Sequence, residues 1–129
     1  MTTGRTHNAA EDETASDELP PDVETMRATA RPLLAEDAEP LCAGELGVVV
    51  SMLRGHLQVL LPDVGKLAGR QPKDDIPRAC ALACCGEARM RLRLDDGETP
   101  DVRTAAARRL ARSVMALCDH YENLGGVTV

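Results

Sequence analysis

Three of the chain's five cysteines fall within six residues, in the stretch ACALACC from Ala79 to Cys85. Thiolates at that density could cage a metal or run a redox couple. On a helix, Cys84 lies only about 40° round from Cys80, but Cys85 lies about 100° further. Three thiolates so placed cannot converge on one tetrahedral ion. Cys80 and Cys84 would need two more ligands from elsewhere. Cys118 and His120 cannot supply them together, because about 200° of helix rotation separates their directions. No Cys-x-x-Cys pair occurs. The thiols therefore read as small packing residues, and the sequence implies no metal and no cofactor.

A second cluster, DHYEN at 119–123, gathers Asp119, His120, Tyr121 and Glu122, the mixture an acid–base site would use. Consecutive helical residues radiate around the axis and do not converge. A site of this kind would need His120 to meet His56 and a carboxylate across helices. Arg108 and Arg112 form an i,i+4 basic pair on an outer helix face, and Arg78, Arg89 and Arg93 make a similar outer stripe. Such faces are ordinarily solvated; as functional surfaces they would dock an acidic partner, the chain's own acidic N-terminal end included. Glu87 and Arg91, also i,i+4, share a row with Ile76, Cys80, Ala83 and Leu94. An ion pair in an apolar row is expected to be at least partly buried and paired, which makes Glu87 and Arg91 the best candidates for a polar binding site. No Gly-rich phosphate loop and no nucleophile elbow is present.

The elements that must position these groups follow from composition and periodicity. The 129 residues suit one domain, and Tyr121 is the only aromatic residue. A core of Leu, Val, Ala, Met and Cys suits close-packed helices better than a sandwich. Recognition of single-stranded nucleic acid by base stacking is excluded for want of aromatic platforms. The net charge of −6 is uneven: residues 1–40 hold ten acids against three bases, and residues 41–129 eleven against twelve. The nearly neutral remainder also argues against DNA binding. No apolar run is long enough to span a membrane, and the N-terminus lacks the order of a secretory signal, so a cytoplasmic protein with reduced thiols is expected.

Residues 1–18 contain no large apolar residue after Met1, which predicts a disordered acidic tail. Val23, Met26, Ala30 and Leu34 predict a first helix, kinked or shortened by Pro32. Leu46, Val49, Val50, Leu53, Leu57, Leu60, Leu61, Val64, Leu67 and Ala68 stay in phase across Pro62, which predicts one long second helix ending near Gly69. Asp74, Asp75 and Pro77 open a third, expected to be well buried in its first half. Thr99 and Pro100 open a fourth, with Ala106, Leu110, Val114, Leu117, Tyr121 and Leu124 inward and Gly125-Gly126 as its stop. Short connections imply antiparallel neighbours. The reading is an all-α, up-down-up-down four-helix bundle over residues 19–126.

From Leu19 to Leu124 the chain resembles a family of small actinobacterial proteins without assigned activity, labelled natural-product biosynthesis proteins. The resemblance rests on LPPDVETMRATA, LRGHLQVLLPDV, PRACALACCGEARMRLRL and ARRLARSVMALCDHYENL. It implies a genomic setting and carries no catalytic residues. Together these readings point to a non-enzymatic accessory or interaction protein associated with secondary-metabolite production, with an unknown protein partner. The alternative is a small-molecule-binding protein or enzyme with a polar pocket between the helices.

Overall fold

In the computed structural model, which describes residues 19–127, four helices follow one another: α1 Val23–Leu34, α2 Ala43–Gly69, α3 Ile76–Arg93 and α4 Pro100–Asn123. The expected tail over 1–18 lies outside the described residues. Each start has a local cause. Asp22 accepts the Thr25 N–H at 3.1 Å, Asp75 that of Arg78 at 2.9 Å, and Thr99 that of Val102 at 3.2 Å. At α2 the Glu45 carboxylate accepts the Cys42 N–H at 3.1 Å. These bonds satisfy amides that a helix start leaves without partners.

The stops are equally local. α1 ends two residues after Pro32, and α2 passes through Pro62 as one helix. Beyond α4, Gly125 takes a left-handed φ of 90°, and the Gly126 N–H returns to the Tyr121 carbonyl at 2.8 Å. A side chain at Gly126 would strike the Tyr121 ring, so the glycine lets the chain fold over that ring. The Tyr121 hydroxyl then donates to the Val127 carbonyl.

Helices adjacent around the bundle are antiparallel, as polar ties show: Arg27 near the start of α1 binds Asp119 and Glu122 near the end of α4. Arg54 of α2 reaches Leu92 and Leu94 at the end of α3, and Arg91 of α3 reaches Ser113 of α4. The bundle is not square. α4 packs against all three other helices and most extensively along α2, which runs parallel to it. α1 touches α2 only lightly, and among the described residues it does not touch α3. α2 and α4 thus form the short diagonal of the cross-section, with α3 on one side and α1 leaning on α4 at the other.

That diagonal holds the core. Leu53, Leu57, Leu60 and Val64 of α2 and Val114 and Leu117 of α4 are wholly excluded from water. Ala30, Ala68, Ala81, Ala88, Ala107 and Ala111 are equally buried and let the helices approach closely where other proteins would place aromatic rings. Burying a Leu or Val side chain is worth roughly 1.5–3 kcal/mol, so this row supplies most of the driving force.

Three expectations about burial need correction. α3 does not turn Ile76, Cys80, Ala83 and Leu94 inward: all four are exposed, and its buried residues are Ala81, Cys85 and Ala88. The first half of α3 is accordingly not well buried. Cys85 and Cys118 are packing residues, but Cys42 and Cys80 face solvent. On α3 the reason is shared. Small residues line the close α3 contact, so hydrophobicity alone points to the wrong face.

Candidate functional site

The polar side chains of this molecule divide by what they are bonded to. Five arginines hold helices together: Arg27, Arg54, Arg78, Arg91 and Arg108. Arg27, only 11% exposed, donates to Asp119 at 2.7 Å and to both carboxylate oxygens of Glu122 at 2.8 and 3.1 Å. Burial works against its charge, but the two carboxylates outweigh it and raise its pKa further. In return Arg27 holds the Glu122 carboxyl below the usual carboxylate range. Arg54 donates to the Leu92 and Leu94 carbonyls and to Asp96 at 2.7 Å. Arg78 donates to the Ala68 and Gln71 carbonyls at the end of α2. It is therefore not part of an outer stripe, although Arg89 and Arg93 are exposed. Arg91 donates to the Arg109 carbonyl at 2.9 Å and to Ser113 Oγ at 2.7 Å.

Glu87 and Arg91 do pair, at 3.3 Å, but unequally: the Arg91 side chain is 22% exposed and that of Glu87 is 55% exposed. Glu87 is thus a surface carboxylate, and the expected burial holds for Arg91 alone. Arg91, without Glu87, lines an open cleft of about 420 Å³ with Arg54, Arg93, Asp96 and Arg109. Arg91 is spent on α4, which makes it a structural tie.

The histidines are not brought together. His56, half-buried on α2, shares a 3.1 Å hydrogen bond with Thr29 Oγ1 of α1, and burial lowers its pKa. His120 sits half-buried in the last turn of α4 and forms no hydrogen bond or ion pair with His56 among the described residues. Asp119 and Glu122, the carboxylates of the DHYEN cluster, are already bonded to Arg27. No convergent acid–base constellation results. Nor does any group of three or more His, Cys, Asp or Glu among the described residues have the arrangement of a metal site.

The remaining constellation is on α4. Arg108, Arg109 and Arg112 line one cleft of about 550 Å³ between the start of α4 and the chain joining α1 to α2. Arg108 is half-buried and anchored, its Nε donating to the Leu33 carbonyl at 3.1 Å. Arg109 and Arg112 are exposed, and neither forms an ion pair among the described residues. The opposite wall is apolar, from Leu33, Pro40, Leu41 and Leu46, while Glu39 and Asp101 also line the cleft. Guanidinium forks facing an apolar wall can hold an anionic group that carries hydrocarbon beside it.

Sequence reasoning found Arg108 and Arg112 and missed Arg109, whose position one residue along the helix points it partly toward α3. It also missed Arg27. The signal for Arg27 was Asp119 and Glu122 at i,i+3 on one face of α4 with no basic partner on their own helix.

A family of unknown function, DUF6415, matches residues 24–126, which span all four helices. No curated protein and no solved structure matches the chain. No helix is long and apolar enough to cross a membrane among the described residues. A match over four-fifths of the sequence settles kinship without settling activity: the chain belongs to DUF6415, a family of unknown function.

Proposed function

We propose that this protein is a cytoplasmic, non-enzymatic accessory protein that binds an acidic segment of a partner protein in the α4 cleft. One observation carries the reading: Arg109 and Arg112 stand free of ion pairs beside an anchored Arg108, in a molecule whose other interhelical arginines are spent on structure. Free guanidiniums beside an apolar wall suit a carboxylate-rich strand or helix with interspersed apolar residues. The likeness to proteins labelled natural-product biosynthesis proteins supports placing that partner in a secondary-metabolite setting.

A second reading rests on the size of the cleft. A volume of about 550 Å³ falls in the range of small-molecule sites, so an amphipathic organic anion would also fit.

The test is capture from the native host with the full chain and with the Arg109→Glu/Arg112→Glu variant. Arg108 stays intact because it holds Leu33. The first reading expects a protein captured by the wild type and lost by the variant, with an acidic segment protected in the complex. A co-purifying anionic metabolite lost by the same variant would favour the second. Equal capture by both proteins would sink the cleft as the site.

A further inference from the structure

α3 carries most of its large apolar residues on the outside, while Leu92 packs against the core. Ile76 is 74% exposed, Met90 55% and Leu94, at the C-cap, 60%, while its buried residues are only Ala81, Cys85 and Ala88. Ile76, Ala83, Met90 and Leu94 lie within about 40° of one another around the helix axis. They form one stripe along the whole helix, interrupted by Glu87 alone, whose carboxylate turns to Arg91. An apolar stripe of this length is uncommon on a surface that stays solvated.

Charge runs along the same helix in order. Lys73, Asp74 and Asp75 stand at its start, and Arg89 and Arg93, which form no ion pair among the described residues, stand toward its end. Asp95, Asp96 and Glu98 follow the helix, and Asp96 is held by Arg54. A helix with a net acidic start, basic last turns and apolar residues between is complementary to its own reversed copy, in which Lys73 of one chain meets the acids that follow Arg93 in the other. Two copies laid parallel would set like charges together. Laid antiparallel, the carboxylates of one face the guanidiniums of the other, and the helix dipoles oppose favourably.

We propose that the outer face of α3 binds a second copy of this chain, the two α3 helices packing antiparallel across a two-fold axis beside Ala83. Ala83 is the outward residue nearest the helix midpoint, and Ala79 and Gly86 flank it, so the helices can approach closely there. Ile76 and Met90 then pack at either end. The outer face of α2, with Val48, Met52 and Val59 exposed, is also apolar but carries no such ordered charge. The α3 surface lies apart from the α4 cleft and does not depend on the function proposed for it.

One helix pair about 27 Å long lies at the small end of specific interfaces, so the dimer is transient. Sedimentation of the full chain from about 5 to about 500 µM should show a dimer fraction that rises with concentration. Ile76→Glu and Met90→Glu, both at exposed positions, should weaken dimerisation by roughly tenfold or more while thermal melts stay near wild type. In a Cys42→Ser/Cys80→Ser background, Ala83→Cys should cross-link two chains rapidly on mild oxidation. Ala28→Cys, exposed on α1, should not. A chain that remains monomeric throughout overturns the proposal. So does a dimer indifferent to Met90→Glu, or an Ala28→Cys variant that cross-links as fast as Ala83→Cys.

Discussion

The Arg91 guanidinium donates to the hydroxyl of Ser113 at 2.7 Å, and Ser113, 2% exposed, is the buried polar residue of the described core. Arg91 therefore satisfies a group that has left water, while Glu87 only balances charge from the surface. Arg91→Ala should cost about 1–3 kcal/mol, because it leaves the buried Ser113 hydroxyl without this partner. Glu87→Ala should cost no more than about 0.5 kcal/mol. Urea melts of the two variants decide it. Equal losses would return the importance to the Glu–Arg pair.

Arg27 ties α1 to α4 through two carboxylates whose side chains are 64% and 46% exposed. Arg27→Met keeps the packing stem and removes the charge-assisted bonds, at a cost of about 1–2 kcal/mol after allowing for solvent screening. Arg27→Lys should recover only part, since an ammonium cannot bridge both oxygens of Glu122. The Glu122 pKa is depressed in the folded state, so its contribution is present above the unfolded carboxylate pKa and lost as pH falls through the folded one. The gap between wild type and Arg27→Met should therefore narrow in acid, as thermal melts at neutral pH and near pH 3 would show.

His56 titrates with the opposite chemistry but the same sign. Burial favours the neutral ring, so its folded pKa lies below its ordinary value. The unfolded chain then binds the proton first, and stability falls as pH drops below about 6.5 through the folded pKa. His56→Gln can still bond Thr29 but cannot titrate. Its melting temperature should fall less than that of wild type between pH 7 and pH 5.

The thiols should separate into two kinetic classes. Burial pushes Cys84 and Cys118 up to about 11 and also raises Cys85. These three remain protonated at neutral pH, with Cys84 half-buried and Cys85 and Cys118 buried, whereas Cys42 and Cys80 are exposed. A maleimide should label Cys42 and Cys80 quickly and the other three slowly, Cys85 and Cys118 only on unfolding, counted by mass spectrometry. Fast labelling of Cys85 or Cys118 would mean that the core opens far more readily than its packing implies.

The long second helix was legible because ten of its apolar residues, from Leu46 to Ala68, fall in one sector, and burial of large side chains dominates the energetics. Of the ten residues in that stripe, eight are buried and the other two, Val49 and Leu67, pack against the core. α3 was misread for the converse reason. Its inward contact depends on the smallness of Ala81, Cys85 and Ala88, and periodicity weighted by hydrophobicity favours Ile76 and Leu94 instead. The basic cleft was half legible: Arg108 and Arg112 announce themselves by spacing, but the apolar wall opposite them comes from the connection between α1 and α2, 60 or more positions away in the chain. The Arg27 tie spans 92 positions to Asp119, so the local pattern on α4 shows two carboxylates in want of a base but does not name it.

Because α1 leans on α4, barely meets α2 and never reaches α3, its removal would leave the mutual packing of α2, α3 and α4 in place. Its buried Val23, Met26, Ala30 and Leu33, two arginine ties and the Thr29–His56 bond hold it. The native protein is thus a three-helix body wearing a strap. The amide protons of α1 should exchange with solvent through partial openings that leave the rest folded, at a lower free energy than those of α2 or α4. Such an opening would bare Cys118 and the core face of α4 for as long as the strap is off.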